Sequence, residues 1–303
     1  MRFSPSDLRG LAVFRSIIEN GGFGGAQLAL GMSQSTLSFH LKALEERVGF
    51  ELCRRGRRGF HLTEKGREVY EASKSLVAAV SSFEGRLGEL RKEIVGTLRV
   101  GVVANTVTDP GLPMDAVMEA CLRQVKDAEI ELLVTHPKAL MDELARDGID
   151  IALTPPMRIG PDFREKLFYH EMHSLYCSHR HPLFHADPAA LTPEEIARHD
   201  FIVRSYANKS EIDFYPDARV RIQSSTMEAQ AILILSGRVI GYLPEHFARQ
   251  WEESGQMRRL NSPAERYASP LVIVSKLDQR ISSIQRLFIR ELTRRCVLDS
   301  AGA

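Results

Sequence analysis

Four arginines in five residues, Arg54-Arg55-Gly56-Arg57-Arg58, make the densest charge in the chain. Such a run is usually a solvated face, but the residues just before it change that reading. Leu37, Leu41, Leu44 and Val48 recur at steps of 4, 3 and 4 and share one narrow helical stripe. At about 100° per residue, with Leu37 at zero, Ser35, Ser38, Phe39 and Lys42 fall at roughly 160°, 100°, 200° and 140°. That outer face carries two hydroxyls, an ammonium group and an aromatic ring. This set suits a helix in the major groove, with Gln34, Ser35 and Ser38 toward base edges, Phe39 toward a thymine methyl and Lys42 on a phosphate. Arginines at the tip of a following hairpin would meet phosphates or enter the minor groove. The chemistry is binding.

These side chains need elements to carry them. Leu8, Leu11, Phe14, Ile17 and Ile18 predict an amphipathic helix from Ser6 to about Asn20, capped by Ser6 or Asp7. Gly21-Gly22-Phe23-Gly24-Gly25 follows no strand and precedes no lysine, so it reads as a turn into a short helix, Gly24 to Leu30, and not as a nucleotide loop. Gly31-Met32 turns tightly, and Ser33 is a good N-cap for a helix running to about Val48. Short apolar segments on either side of the arginine run predict a hairpin, the wing of a winged helix-turn-helix. Thr63 caps a further helix to about Glu93. Along it Leu76, Val80, Phe83, Leu87, Leu90 and Ile94 step 4, 3, 4, 3, 4, a seam that suits a coiled-coil dimer.

With 303 residues, 44% hydrophobic and 26% charged, the chain has material for two or three domains. Those values exclude a mainly disordered chain, a collagen-like repeat and a small disulfide scaffold. No apolar run approaches the roughly 18 residues that span a bilayer, and the start, MRFSPSDLRG, has no signal-peptide core. Cys53, Cys121, Cys177 and Cys296 are scattered without a Cys-x-x-Cys pair, which fits a reducing cytoplasm. Net charge is only +1, yet residues 1–95 hold 15 Lys and Arg against 11 Asp and Glu, leaving 25 against 28 for the rest.

From Gly96 onward strands and helices alternate, which predicts parallel α/β structure. Expected strands lie at 96–103, 130–134, 150–153, 174–177, 201–203, 220–222, 239–244 and 271–274. Expected helices lie at 113–125, 139–146, from Thr226, and 278–296. Two α/β lobes, about 96–162 with 267–296 and about 163–266, would enclose a hinged cleft with ligands at the strand ends. His170, His173, Cys177, His179, His181 and His185 have the types for zinc. A strand and turn would send alternate members to opposite faces, so neither a metal nor a cofactor is expected there.

The ordered set Asp7-Leu8-Arg9, Phe14, Gly22-Phe23, Ala26, Leu30, Ser33-Gln34-Ser35-Thr36-Leu37-Ser38, Leu44-Glu45-Glu46-Arg47-Val48-Gly49, Leu52, Arg54-Arg55 and Leu62-Thr63-Glu64-Lys65-Gly66 resembles the N-terminal pattern of LysR-type transcriptional regulators. It departs at Gly22, Gln27, Phe39 and His40, where the family commonly has Ser, Ala, Arg and Gln. Later echoes are Leu98-Arg99-Val100-Gly101, Gly148-Ile149-Asp150-Ile151-Ala152, His181-Pro182-Leu183 and Ser236-Gly237-Arg238-Val239-Ile240-Gly241-Tyr242-Leu243-Pro244, with Arg238 at a usually small position. The resemblance implies a DNA-binding domain over 1–63, a linker and dimerisation helix over 64–95 and a two-lobed, periplasmic-binding-protein-like effector domain over 96–303. It places Ser33, Gln34, Ser35, Thr36, Ser38, Phe39, His40, Lys42, Arg54, Arg55, Arg57 and Arg58 at DNA. It places a small effector between Asn105, Thr106 and Thr154 on one lobe and Arg204, Ser225, Thr226 and His246 on the other.

Arg204 and the helix start at Thr226 would favour an anionic effector. The expected function is promoter binding by a dimer or tetramer, modulated by that effector, with RNA polymerase as a further partner and no membrane. The rival class, a transferase on a two-lobed fold, would need a nucleophile or an acid/base pair. Cys177 is the nearest candidate and has no His/Asp partner at a motif spacing. A solute-binding transport protein has no use for a winged domain.

Overall fold

The computed structural model describes residues 3–56, 59–91, 93–125, 127–187, 191–206, 210–260 and 266–296. These fall into two compact units, 1–80 and 81–303. Among the described residues no helix is long and apolar enough to cross a membrane.

The first unit opens with α1 (Pro5–Glu19), α2 (Phe23–Leu30) and α3 (Gln34–Val48), then the hairpin β1 (Cys53–Gly56) and β2 (Gly59–Leu62) and the start of α4 (Glu64–Arg91). The cap of α1 differs from expectation. Ser4, not Ser6 or Asp7, is the N-cap, in a capping box with Asp7 and with Pro5 in the first turn. Proline fixes its own φ in the helical range, so the helix starts at Pro5, one residue earlier than the apolar pattern shows, and its cap lies two residues before Ser6. Asp7 also meets Arg47 at 3.4 Å, tying α1 to the last turn of α3. Phe14, Ile17, Leu37 and Leu44 are fully buried between these helices, with Leu52 from the wing's base. Gly49 ends α3 at φ +85°, a left-handed conformation that favours glycine. Gly66 lets α4 approach the wing so closely that a Cβ would lie 2.0 Å from the Leu52 carbonyl oxygen.

The second unit is built on a sheet of nine strands among the described residues. Its elements are β3 (Val95–Val103), α5 (Met114–Gln124), β4 (Asp127–Thr135), α6 (Pro137–Ala145), β5 (Ile151–Thr154), β6 (Phe163–Ser178), α7 (Pro193–Ala197), β7 (Asp200–Arg204), β8 (Arg219–Ser224), α8 (Met227–Leu235), β9 (Ile240–Pro244), α9 (Glu245–Glu253), β10 (Met257–Arg259), β11 (Tyr267–Lys276) and α10 (Ser283–Arg295). The order is β4-β3-β5-β11-β6-β9-β7-β8, with β10 beside β6. β3 pairs in parallel with β4 and β5, and β7 with β8 and β9. The two parallel sets are joined through the antiparallel pair β6 and β11.

The strand expected near Ser174 to Cys177 is the end of a 16-residue strand. Its first half, Phe163 to Met172, pairs only with β11 among the described residues. It carries Arg164, Glu165 and Lys166, whose charge hid the strand in the sequence. Phe168 and Tyr169 on β6 enter the core with Leu98, Val100 and Phe288, whereas Leu175 and Cys177 of the same strand enter the core with Phe201 and Tyr242. One strand thus contributes to both lobes, and each lobe has its own hydrophobic core.

Candidate functional site

On α3 the stripe Leu37, Leu41 and Leu44 is buried, and the opposite face is open. Phe39 is 70% exposed, touching the His40 ring edge-on at 5.7 Å. Gln34, Ser35 and Thr36 are exposed and Ser38 and His40 are half-buried. Lys42 faces Glu46 at 3.8 Å with both side chains mostly exposed, a pair worth little in water, so the ammonium remains available to a phosphate. The hydroxyls are less free than their types imply. Ser33 Oγ caps the helix by accepting the Thr36 N–H and lies 2.8 Å from both the Ser35 and Thr36 hydroxyls, while Ser38 Oγ donates to the Gln34 carbonyl. The wing is set by Glu45, whose Oε1 accepts the N–H groups of Leu52 at 2.7 Å and Cys53 at 3.2 Å. Arg54 pairs with Glu51 at 3.1 Å on the surface. Arg55 lies on β1, and Arg57 and Arg58 lie outside the described residues.

In the second unit Asn105 and Thr106 follow β3, Thr154 ends β5, Arg204 ends β7, Ser225 and Thr226 follow β8, and His246 follows β9. All sit at the carboxyl ends of parallel strands, where open α/β sheets hold ligands. Thr226 Oγ1 is taken up as the N-cap of α8, accepting the Ala229 N–H, and the Thr226 N–H donates to Ser224 Oγ. Ser225 is exposed.

Arg204, expected to meet a ligand anion, is instead buried against a partner of its own. Its Nε donates to Glu211 Oε2 at 2.5 Å, its backbone N–H donates to Glu211 Oε1 at 2.6 Å, and Nη1 donates to Ser269 Oγ at 3.1 Å. Its guanidinium lies over the rings of Tyr206 and Tyr267. Burial alone would lower the arginine's proton affinity, but Glu211, Tyr206 and Tyr267 together outweigh that and raise it.

Next to it runs a polar network of which the sequence singled out only His246 and His173. Tyr169 Oη and the Gly111 N–H both donate to Asp109 Oδ1 at 2.9 Å. His246 Nε2 lies 3.5 Å from Asp109 Oδ2 and 3.1 Å from Glu171 Oε1, and His173 Nε2 lies 2.6 Å from Glu171 Oε2. Burial pushes Asp109 above the usual carboxylate range against the pull of His246. Burial also pushes Glu171 up, but His173 and His246 together bring it well below that range. Burial lowers His173, so it is neutral near pH 7 and donates Nε2–H to Glu171.

Several buried atoms around these strand ends have no hydrogen-bond partner among the described residues: Asn105 Nδ2, Asp109 Oδ2, Thr154 Oγ1, His173 Nδ1 and Arg204 Nη2. A buried unsatisfied polar group costs about 1–3 kcal/mol, so a set of them at neighbouring strand ends is what a ligand would relieve. Tyr169, Glu171 and His173 stand at i, i+2 and i+4 on one strand. That period would have grouped them had the strand's length been legible.

The remaining members of the histidine-rich run do not converge with them. Cys177 is buried in the lobe core, its thiol pushed up to about 12 by desolvation, so it is no ready nucleophile. His179 and His185 are exposed. His181 is buried, and its Nδ1 accepts the Leu183 N–H. Desolvation, with His199 beside it, brings its pKa down to about 4. An unfolded histidine titrates near 6.5, so below that pH the unfolded chain binds a proton that the folded chain refuses. Stability should therefore fall as pH drops from about 6.5 toward 4. His181→Asn, which keeps an acceptor for Leu183, should flatten that part of a melting-temperature profile. An unchanged slope would exclude His181 as its source.

Comparison with known proteins matches residues 8–67 to the family of bacterial regulatory helix-turn-helix proteins of the lysR type, and residues 91–297 to the LysR substrate binding domain. The HTH-type transcriptional activator BauR of Pseudomonas aeruginosa is 32% identical over 287 residues, covering 94% of each chain. The iron-regulated virulence regulatory protein IrgB of Vibrio cholerae is 26% identical over 255 residues, covering 81% of this chain and 83% of its own. Among solved structures, a probable transcriptional regulator of P. aeruginosa, PA0477, superposes with a TM-score of 0.67 at 20% identity, covering 95% of this chain and 96% of that one. Full-length CbnR bound to its target DNA superposes with a TM-score of 0.61 at 16% identity, covering 95% and 99%.

Proposed function

The chain belongs to the LysR family of bacterial transcription regulators, and from that premise we propose that α3 reads an operator while a small molecule held at the strand ends of the second unit modulates the binding. The observation that carries the first half is the open face of α3, with Phe39 70% exposed among polar neighbours and backed by a buried leucine stripe. The division is 1–63 for DNA, 64–95 for the linker helix and 96–303 for the effector, in a cytoplasmic dimer or tetramer that engages RNA polymerase. The relatives and the matched families are regulators, and Cys177, the nearest candidate nucleophile, is buried in a lobe core with its thiol pushed up to about 12.

Glu211 already supplies the counter-charge for Arg204, so the case for an anionic effector rests on Arg204 Nη2 and on Ser225 and Thr226 alone. The acidic side of the cleft, Asp109 and Glu171, favours a ligand with a cationic part. A zwitterion would satisfy both ends.

Lys42→Ala should weaken binding on every DNA sequence and reduce the slope of log affinity against log salt by about one. Phe39→Ala should leave the slope intact and cost about 1–3 kcal/mol only at the base pair it touches. Titrations on matched and mismatched operators at several salt concentrations separate the two. Equal, uniform losses for both variants would remove Phe39 from base readout.

A further inference from the structure

Three side chains from three elements converge in the cleft with no proton donor assigned between them. Asp109 ends the turn that follows β3, Glu171 lies on the crossing strand β6, and His246 stands in the first turn of α9. Asp109 Oδ2, Glu171 Oε1 and His246 Nε2 all lie within 4.8 Å of one another, and each side chain is more than nine-tenths buried.

The far atom of each group is held by a partner. Asp109 Oδ1 accepts from Tyr169 and Gly111, and Glu171 Oε2 accepts from His173. His246 Nδ1 lies 2.8 Å from Thr108 Oγ1, and that hydroxyl donates its proton to the Asn105 carbonyl at 3.1 Å. With its proton spent there, Thr108 accepts from His246, which places the ring proton on Nδ1 and a lone pair on Nε2. Two carboxylate oxygens and an imidazole lone pair then face one another, and Asp109 Oδ2 has no hydrogen-bond partner among the described residues. Three such acceptors are satisfied by a cation, either a metal ion or a proton shared among them.

We propose that Asp109, Glu171 and His246 bind a divalent transition-metal ion, with Zn²⁺ the best fit, leaving an open coordination position toward the cleft. The separations favour an ion over an ammonium group. Ligands about 2.1 Å from a common ion stand roughly 3.0–3.4 Å apart, close to the observed 3.1 and 3.5 Å. Acceptors around an ammonium nitrogen at about 2.9 Å stand roughly 4.6 Å apart. One nitrogen and two oxygen ligands suit a borderline ion, and partners on the outer atoms are what orient metal ligands. Asp109 precedes the crossing strands in the sheet and His246 follows β9 on the other side, so an ion held by both favours the closed arrangement of the lobes. This regulatory consequence rests on the cleft being the sensing site; the binding of the ion does not.

The test is titration of the full-length chain, freed of metal, with Zn²⁺ by calorimetry and with Co²⁺ by visible absorption. One ion should bind per chain, with ligand-field bands for Co²⁺ and a rise in melting temperature. His246→Gln and Asp109→Asn should each weaken Zn²⁺ binding at least 100-fold. Thr108→Val, which keeps all three ligands and removes only the group that fixes the tautomer, should weaken it about 10- to 100-fold. Melting temperatures without metal show that each variant is folded. If the wild-type chain binds no Zn²⁺, or binds it as tightly after folded His246→Gln, then a protonated His246 bridges the carboxylates and the metal site is wrong. A response of operator affinity to metabolites without Zn²⁺ would leave the sensing cleft standing and overturn only the ion's regulatory part.

Discussion

Glu211→Gln should destabilise the second unit by about 3–5 kcal/mol, the largest loss expected from any single charge removal in the chain. Arg204 is 2% exposed and Glu211 fully buried, so removing the carboxylate's charge strands a guanidinium in a medium that cannot solvate it. The loss should exceed the worth of the pair itself, because taking two ions out of water offsets most of their attraction. Arg204→Met with Glu211→Leu should therefore recover much of what either single change loses. Calorimetric melting of the wild type, Arg204→Met, Glu211→Leu and the double variant closes the cycle. A single loss below about 1 kcal/mol would mean that water reaches the guanidinium and that Arg204 is open to a ligand anion after all.

That pair also shows how far the sequence carries. Arg204 was legible as a charged residue at the end of a buried strand, which is where ligands are held. Glu211 was not, because it lies seven residues on, in a 3-10 turn with no periodic signal, and only the folded chain brings it back. The same physics separates the legible from the hidden elsewhere. The winged domain could be read almost residue by residue, since its buried stripes are local: Leu37, Leu41 and Leu44 lie within three turns of one helix. The cap of α1 was misplaced by two residues because a proline at the first turn starts a helix without any apolar residue to announce it.

The cleft was harder. Each parallel strand could be found from its own apolar run, but the strand-end residues Asn105, Thr154, Arg204, Thr226 and His246 were named by the family resemblance. Asp109, Tyr169 and Glu171 could not be named, and His173 was named only within the histidine-rich run, since their grouping depends on β6 passing from one lobe to the other. Half of that strand is charged and half is core. A contact such as Thr108 with His246, 138 residues apart, has no local signature.

The linker helix gives the second large effect. Leu76, Val80, Phe83, Leu87 and Leu90 are 40%, 49%, 60%, 40% and 84% exposed along a 28-residue helix. The sixth member of the expected seam, Ile94, lies beyond the end of α4 and packs on the core of the second unit, so the repeat closes at Leu90. Five large apolar side chains left in water at heptad-like steps are what a second copy of the same helix would cover. Each contributes up to about 1.5–3 kcal/mol when fully buried, and the partial exposure here leaves about half of that to be gained. Leu87→Glu replaces one such contact in each copy and forces two carboxylates into the seam. A loss of about 4 kcal/mol per dimer corresponds to roughly a thousandfold weaker association. Sedimentation of a fragment of residues 1–95 reads this directly, with Ser82→Glu, exposed and on the face away from the seam, as the control that should leave association unchanged. A Leu87→Glu fragment that still sedimented as a dimer at wild-type concentrations would show that these helices meet along another face. The operator half-sites would then have to be spaced by other contacts than this seam.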